Sequence, residues 1–485
     1  MLLGLDLGTT NIKALVTDLS GKCLARGASP VRLLHRGPDG VEQDLEEIWT
    51  ATLLAIRQAL QSVEPAVIQA IGVSSQGGAL QLTDEHHRPM GGVVSWLDQR
   101  GRSFNAALTA ELGEEWFVQR IGRTGAGLAI GQLLRLRHES PSQMAAPNRV
   151  GFVGDLMVQR LCGQAGHDGT SCGLTALYDP ARHRYAPDVL QRLGVAPEQL
   201  PPLFSPRTPA GGLVQAVARE TGLRAGIPVS AAIHDQYAAA LATGAVRAGT
   251  AMIGTGTAWV LLAVTESLSR PVSDRGFCCH HLAENLWGQI LSMVNGGSAL
   301  AWALKLTGHD HRSPEEIDGI LESVPSGSDG LQCWPFFAPG GTTGLAGDMT
   351  GRLSGLRLAH GPGHVIRAVL EGLGCELARH IGVLRAAGIP VERLVLGGAG
   401  AASRVTPRIL AALTGLPLAC AGPEGGSPLG AAILARGLIE PTIPLAVLAG
   451  QMSPVGQPVE PGPTAAFYRQ QLEQYLESLP PSLPT

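Results

Sequence analysis

The sequence predicts an α/β protein built as two similar domains. Each is a mixed sheet headed by an antiparallel hairpin, with a cleft between the two. Three observations carry this. The first is the stretch Gly4-Leu5-Asp6-Leu7-Gly8-Thr9-Thr10-Asn11-Ile12-Lys13, where an apolar run reaches Asp6, turns tightly through Gly8 and returns as Ile12 to Val16. That is a strand, a short loop and an antiparallel partner, closed by Asp18-Leu19-Ser20-Gly21. The second is the return of the same strand, Gly/Thr turn and strand at Thr250 to Thr257 and Ala258 to Val264. The third is glycine, 64 of 485 residues and roughly twice the usual ~7%, spread along the chain as many tight loops need. Each hairpin heads a half-chain, so the boundary falls near residue 245 and the domains are 1–244 and 245–485.

Bulk properties narrow the class. The length allows roughly three domains or two larger ones, and a large core. A net charge of −4 argues against nucleic acid and an anionic membrane surface as partners. Eight scattered cysteines form no CxxC pair, and the adjacent Cys278-Cys279 is poorly spaced for zinc. They read as small buried residues in a reducing compartment. No basic segment precedes the first apolar run, and no stretch of about 18 apolar residues occurs. A cytoplasmic protein without a membrane anchor is expected.

The elements follow in order. A strand is expected over Lys22 to Ala28. Asp44 then opens a helix with Glu47 completing a D-x-x-E start, and Leu45, Ile48, Trp49, Leu53, Ile56 and Leu60 recur at helical spacing. Val67 to Ser75 reads as a buried strand ending in Ser-Ser-Gln-Gly-Gly, at the strand end where open α/β sheets place ligands. Leu80 to Leu82 and Val93 to Trp96 continue as strands, and residues 105 to 200 read as mostly helical with breaks at Pro141, Pro147 and Pro180. Ile227 to Ile233 is a strand delivering His234-Asp235-Gln236 to an Ala-rich helix. A long helix is expected from Pro362 to Ala387, then a strand Leu394 to Leu396 feeding Gly397 to Ala401. An Ala-rich helix after Gly425-Gly426 and an amphipathic helix from Thr464 to Leu479 close the chain.

Two loops invite chemistry. The first hairpin offers hydroxyls, backbone N–H groups freed by Gly8 and the charge of Lys13, which are what a phosphate requires. Asp6 in an apolar strand is costly unless it serves Mg²⁺ or ordered waters, though an ordinary hairpin with one oddly placed Asp reads the same way. Gly397 to Ala401 is a tight strand-to-helix turn, or a close backbone approach to a flat ligand such as adenine. Asp235 is either a helix N-cap or a carboxylate placed to accept a proton.

Taken together, these motifs resemble the FGGY carbohydrate kinases, most closely the xylulokinase branch. Gly4 to Thr10 resembles the family's first phosphate loop, and Gly72-Val-Ser-Ser-Gln76 and Trp96-Leu-Asp98-Gln-Arg100 its sugar segments. Tyr178-Asp179 with Tyr185 resembles an aromatic-Asp element, and His234-Asp235-Gln236 falls where the family keeps its catalytic aspartate. Gly254-Thr255-Gly256-Thr257 resembles the second phosphate loop. Ala301 to Gly308, Gly351 to Leu356 and Gly398 to Ser403 resemble later signatures.

The resemblance implies two ribonuclease-H-like domains of the actin, sugar-kinase and heat-shock ATPase type. It implies ATP-dependent phosphoryl transfer to a sugar, with Mg²⁺ as cofactor and a ketopentose such as D-xylulose as acceptor. Asp235 would be the catalytic base. Gln76, Gly77, Gly78, Trp96, Asp98, Asp235 and Gln236 would line the acceptor site. Gly8, Thr9, Thr10, Lys13, Thr255, Gly256, Gly297, Gly400 and Ala401 would hold the nucleotide, and Asp6 and Asp235 the metal. A homodimer is allowed. Asp98 beside Arg100 also reads as a plain ion pair.

Three departures stand out. Gly77-Gly78 replaces the Met-His usual after Gln76, a Gly-Glu-Arg is missing around Gly340-Gly341-Thr342, and Ala412 replaces an Asp. The first change puts the acceptor in question, since two glycines leave room for a larger sugar or for a side chain from elsewhere, with His234 nearest in sequence. Glycerol, another polyol or a larger ketose is the alternative acceptor. A non-catalytic sugar-responsive regulator and an actin-like or chaperone-like ATPase compete as classes. The first would want a DNA-binding segment that is missing here, and the second would not need the 72–100 segments.

Overall fold

The run Leu2–Leu7 (β1) is apolar on both faces and buried throughout, so it belongs at the centre of a sheet covered on both sides. A computed structural model, which describes residues 1–273, 276–293, 295–337, 345, 349–422, 424–453 and 456–480, places it there. The hairpin partner Asn11–Thr17 (β2) and then Cys23–Pro30 (β3) extend the sheet on one side in antiparallel fashion. Ala70–Ser75 (β4) pairs in parallel on the other, followed by Pro209–Gly212 (β5) and Pro228–His234 (β6) in the order β5-β6-β4-β1-β2-β3.

The second half repeats the plan. Its strands are Thr250–Thr255 (β7), Trp259–Thr265 (β8), Phe277–His280 (β9), Trp287–Met293 (β10), Arg393–Gly398 (β11) and Leu418–Cys420 (β12), in the order β9-β10-β8-β7-β11-β12. In both sheets the first strand lies between its own hairpin partner and a parallel strand that arrives later in the chain.

Helices cover these sheets. Leu45–Ala59 (α1) starts as expected, with the Asp44 side chain accepting from the backbone N–H of Glu46 and Glu47. Asp235–Ala242 (α2) leaves β6, Pro362–Ala386 (α3) crosses the second half, and Ser427–Ile439 (α4) returns to the first sheet. The return is tight: a Cβ at Gly4 would run into the Pro428 carbonyl, and one at Gly72 into that of Ala431. A Cβ at Gly430 would likewise strike the Ala238 carbonyl of α2. These glycines let helices and strands approach backbone to backbone.

The seam so formed is a core of its own. Leu2, Leu15 and Ile233 of the first sheet meet Met252, Leu262 and Ile290 of the second through Tyr237, Leu241, Leu429 and Ile433 of α2 and α4. Each such side chain contributes about 1.5–3 kcal/mol by burial, so the two sheets are welded along α2 and α4.

A third sheet, antiparallel and five-stranded, was legible only in fragments. Leu34–Arg36, Gly40–Gln43, Pro89–Val94, Leu80–Thr83 and Arg149–Phe152 pair in that order. Arg149–Phe152 lies inside the stretch expected to be mostly helical. At four residues it is too short for a period to show, and its pairing with Leu80–Thr83 decides its state. The short hairpin of Tyr178–Asp179 with Arg184–Tyr185 is likewise too brief to leave a sequence period. The eight cysteines are all free, and among the described residues no helix is long and apolar enough to cross a membrane.

Candidate active site

The carboxyl ends of β1, β4 and β6 lie side by side and bring three charges together. Asp6 is the penultimate residue of β1, pairing across the hairpin with Lys13 and along the parallel ladder with Ser74. Ser74 Oγ donates to Asp6 Oδ1 at 3.1 Å. Burial, and next the negative charge of Asp235, push the Asp6 carboxyl up to about 7 against the opposing pull of Lys13 and Ser74. Burial also raises Asp235 to about 6, against hydrogen bonds from Gln236 and the charge of Lys13. Asp235 keeps 28% of its side-chain surface open, so it faces a space a ligand can reach.

Asp235 is the first residue of α2, and the N-cap position belongs to His234, which makes no side-chain capping bond. Capping is therefore not what holds an aspartate here. A half-buried carboxyl with a raised pKa beside a second carboxylate and a lysine has the make-up of a proton acceptor, or of a group facing a cation.

A polar chain ties the first loop to the expected acceptor segments. Trp96 Nε1 donates to Thr9 Oγ1 at 2.9 Å, and Thr9 Oγ1 donates to Gln76 Oε1 at 3.1 Å. Gln76 Nε2 donates to Gln43 Oε1 at 3.0 Å, and Gln43 Nε2 to the Thr9 carbonyl at 2.9 Å. The Thr9 hydroxyl is thus engaged on the acceptor side, while Thr10 is exposed at the loop tip. Gly8 allows the turn, since a Cβ there would lie 2.7 Å from the Asn11 carbonyl oxygen. Trp96 leaves 44% of its surface open. Gln43 was not anticipated: a lone glutamine before a helix cap carries no signal of its own.

Two expectations need correction. Asp98 is not open to the surface: its side chain has no exposed surface and is held by Arg100, whose Nη2 lies 2.7 Å away. It also accepts from Val41 N–H at 2.8 Å and Gln132 Nε2 at 3.0 Å. Burial would raise its pKa, but these partners, Arg100 foremost, hold it below the usual carboxylate range. The ion pair is the reading that stands. Nor do Gly77 and Gly78 leave open space for a larger acceptor. A Cβ at Gly77 would run into Leu174 and lie 2.8 Å from His234 Cδ2, so side chains from elsewhere fill that room. Gly78 has φ +75°, a left-handed conformation that disfavours any side chain, with Leu128 3.6 Å from its would-be Cβ.

The second half closes on the same point. Gln236 Oε1 would lie 3.4 Å from a Cβ at Gly254, the penultimate residue of β7, so Gln236 spans from α2 to the second hairpin. Ser427 Oγ, at the start of α4, donates to the Asp235 carbonyl at 3.2 Å. Thr255 Oγ1 donates to the Gly397 carbonyl at 2.6 Å and accepts from Gly400 N–H at 2.9 Å, locking the hairpin to the glycine turn. Gly398 has φ +83° there, as a tight strand-to-helix turn demands. Gly297 N–H donates to the Gly256 carbonyl at 3.0 Å, while Gly256 and Thr257 stay exposed at the tip. Gly400 and Ala401 are half-buried on the turn that follows. Gly340-Gly341-Thr342 lies outside the described residues, and Ala412 is a buried helix residue in an apolar cluster.

Residues 1–242 match the N-terminal domain of the FGGY family of carbohydrate kinases, and residues 250–436 its C-terminal domain. The chain is 28% identical over 445 residues to a xylulose kinase from Escherichia coli (strain K12), covering 90% of each. It is 28% identical over 434 residues to a glycerol kinase from Gloeobacter violaceus, covering 86% of this chain and 84% of that one. The crystal structure of a xylulose kinase from Rhodospirillum rubrum superposes with a TM-score of 0.87 at 24% identity, over 98% of this chain and 97% of that one, which shows the fold.

Proposed function

The chain belongs to the FGGY family of carbohydrate kinases, and from that premise we propose that it transfers the γ-phosphate of ATP to a hydroxyl of a ketopentose such as D-xylulose, with Asp235 as general base. The family sets the reaction class, phosphoryl transfer to an alcohol acceptor. The observation that carries the residue-level reading is the convergence of Asp6, Lys13 and Asp235 at one strand end, with the second hairpin reaching the same place through Gln236.

Phosphoryl transfer needs the acceptor hydroxyl in line, the phosphate charge neutralised and a proton taken up. Asp235 takes the proton: it is partly open and has a pKa drawn toward neutrality. Trp96 offers its face to the carbon skeleton, and Gln76 and Gln236 their amides to the sugar hydroxyls. Lys13, the N–H groups around Gly8 and the exposed Thr10, Gly256 and Thr257 face the phosphates, with Gly400 and Ala401 beside the nucleoside.

The residues fit a divalent cation. Two carboxylates share one lysine, and the strongly raised Asp6 is what an uncompensated buried charge produces. Mg²⁺ bound there would neutralise phosphate charge, with Asp6 orienting its waters. The free cysteines suit a cytoplasmic enzyme.

Glycerol or another polyol is the second reading, favoured by the likeness to a glycerol kinase. A panel of ketopentoses, ketohexoses, heptuloses and polyols, assayed by coupled ADP release, separates them. Release that depends on a ketopentose supports the proposal. Release that needs no acceptor would move the protein to the ATPases, and no release with any acceptor to the regulators.

A further inference from the structure

We propose that His234 is a positioning residue for the Asp235 base: its Nε2 stands beside Asp235 Oδ1, keeping that oxygen on the imidazole side and leaving Oδ2 to the acceptor hydroxyl, and the bare Gly77 is the space that imidazole needs. The inference rests on the reading of Asp235 as base.

His234 Nε2 lies 3.2 Å from Asp235 Oδ1. The ring is 4% exposed, and its Nδ1 is buried without a hydrogen-bond partner among the described residues. A neutral imidazole carries one N–H. Placing it on Nε2 aims it at a carboxylate, whereas placing it on Nδ1 would bury an unsatisfied donor.

The backbone of His234 is fixed independently. Its N–H donates to Thr170 Oγ1 at 3.1 Å, and that hydroxyl donates to Asp168 at 2.8 Å. Asp168 in turn accepts from Ser171 N–H at 2.9 Å and caps the short helix Gly169–Leu174. The last residue of that helix, Leu174, and His234 Cδ2 are the nearest neighbours of a Cβ at Gly77. One helix therefore anchors the histidine backbone and shares the space over Gly77 with its ring. Any side chain at position 77 displaces one of the two.

The test compares His234→Gln with His234→Asn in the full-length protein, with Asp235→Asn as reference. The two amides differ by one methylene, but only Gln carries its N–H to where Nε2 stands. The readouts are kcat and the KM values for D-xylulose, or the best acceptor found, and for ATP. Thermal unfolding checks the fold. His234→Asn should lose about 10- to 100-fold in kcat, the range seen when a group orienting a reacting ligand is removed, with both KM values nearly unchanged. His234→Gln should recover most of that loss. Two folded variants with parental kcat, or two slowed equally, overturn the proposal and make His234 a packing residue. If Asp235→Asn itself turns over at the parental rate, it is the base reading that fails.

Discussion

The two hairpins, Leu2–Thr17 and Thr250–Thr265, share a topology but divide the chemistry unequally. At the penultimate residue of its first strand the N-terminal head carries Asp6, and the C-terminal head carries Gly254. The first packs Asp6, Lys13 and the neighbouring Asp235 into one electrostatic group. The second spends its polar capacity on itself, with Thr255 bonded to Gly397 and Gly400. A duplicated scaffold has thus been divided into a charged head suited to the reacting phosphate and a neutral head suited to shaping a glycine-lined surface.

Variants at the two heads sharpen that contrast. Asp6→Asn should have the largest effect, about 10- to 100-fold in kcat together with a raised Mg²⁺ requirement, measured by magnesium titration of initial rates. The same variant should unfold at a higher temperature above pH 7. The Asp6 carboxyl rises from 3.8 to about 7 in the fold, so the folded state binds its proton more tightly and stability is lost as pH climbs between those values. Asn removes that penalty, and an unchanged midpoint at pH 8 would count against the buried charge.

The parent enzyme should lose kcat/KM as pH falls below 7, by about tenfold per unit between 7 and 6 and about a hundredfold per unit below 6, because Asp6 and Asp235 both act ionised. A flat profile down to pH 5 would contradict this. Thr255→Val should raise the KM for ATP about 5- to 30-fold by unbonding Gly397 and Gly400 while sparing the acceptor KM, and the reverse pattern would exchange the roles of the two heads. Gly254→Ala should be nearly silent, within about twofold, since its Cβ meets Gln236 at an ordinary 3.4 Å contact.

The heads were legible because each level agreed. Apolar runs, Gly/Thr turns and their recurrence all pointed to one arrangement. Asp6 and Asp235 stood out as acids at the ends of apolar strands. Asp98 looked alike in sequence, with the Arg100 ion pair as its other reading, and the deciding support came from Val41 and Gln132, partners brought from far along the chain. The glycines at 77 and 78 showed that something was missing there and offered His234 as one way to fill it, but gave no sign of Leu174. Gly4 and Gly72, read as parts of ligand motifs, serve the packing of α4, which only tertiary structure reveals.

The seam between the heads holds the central claim, that Asp235 is the base for a small sugar acceptor. The direct measurement is single-turnover transfer from ATP to D-xylulose by Asp235→Asn, with binding of both ligands followed separately by calorimetry. Binding should match the parent and transfer should fall by about 10²–10⁴-fold, as loss of a general base predicts. Transfer at the parental rate by a variant that still binds both ligands would contradict the account.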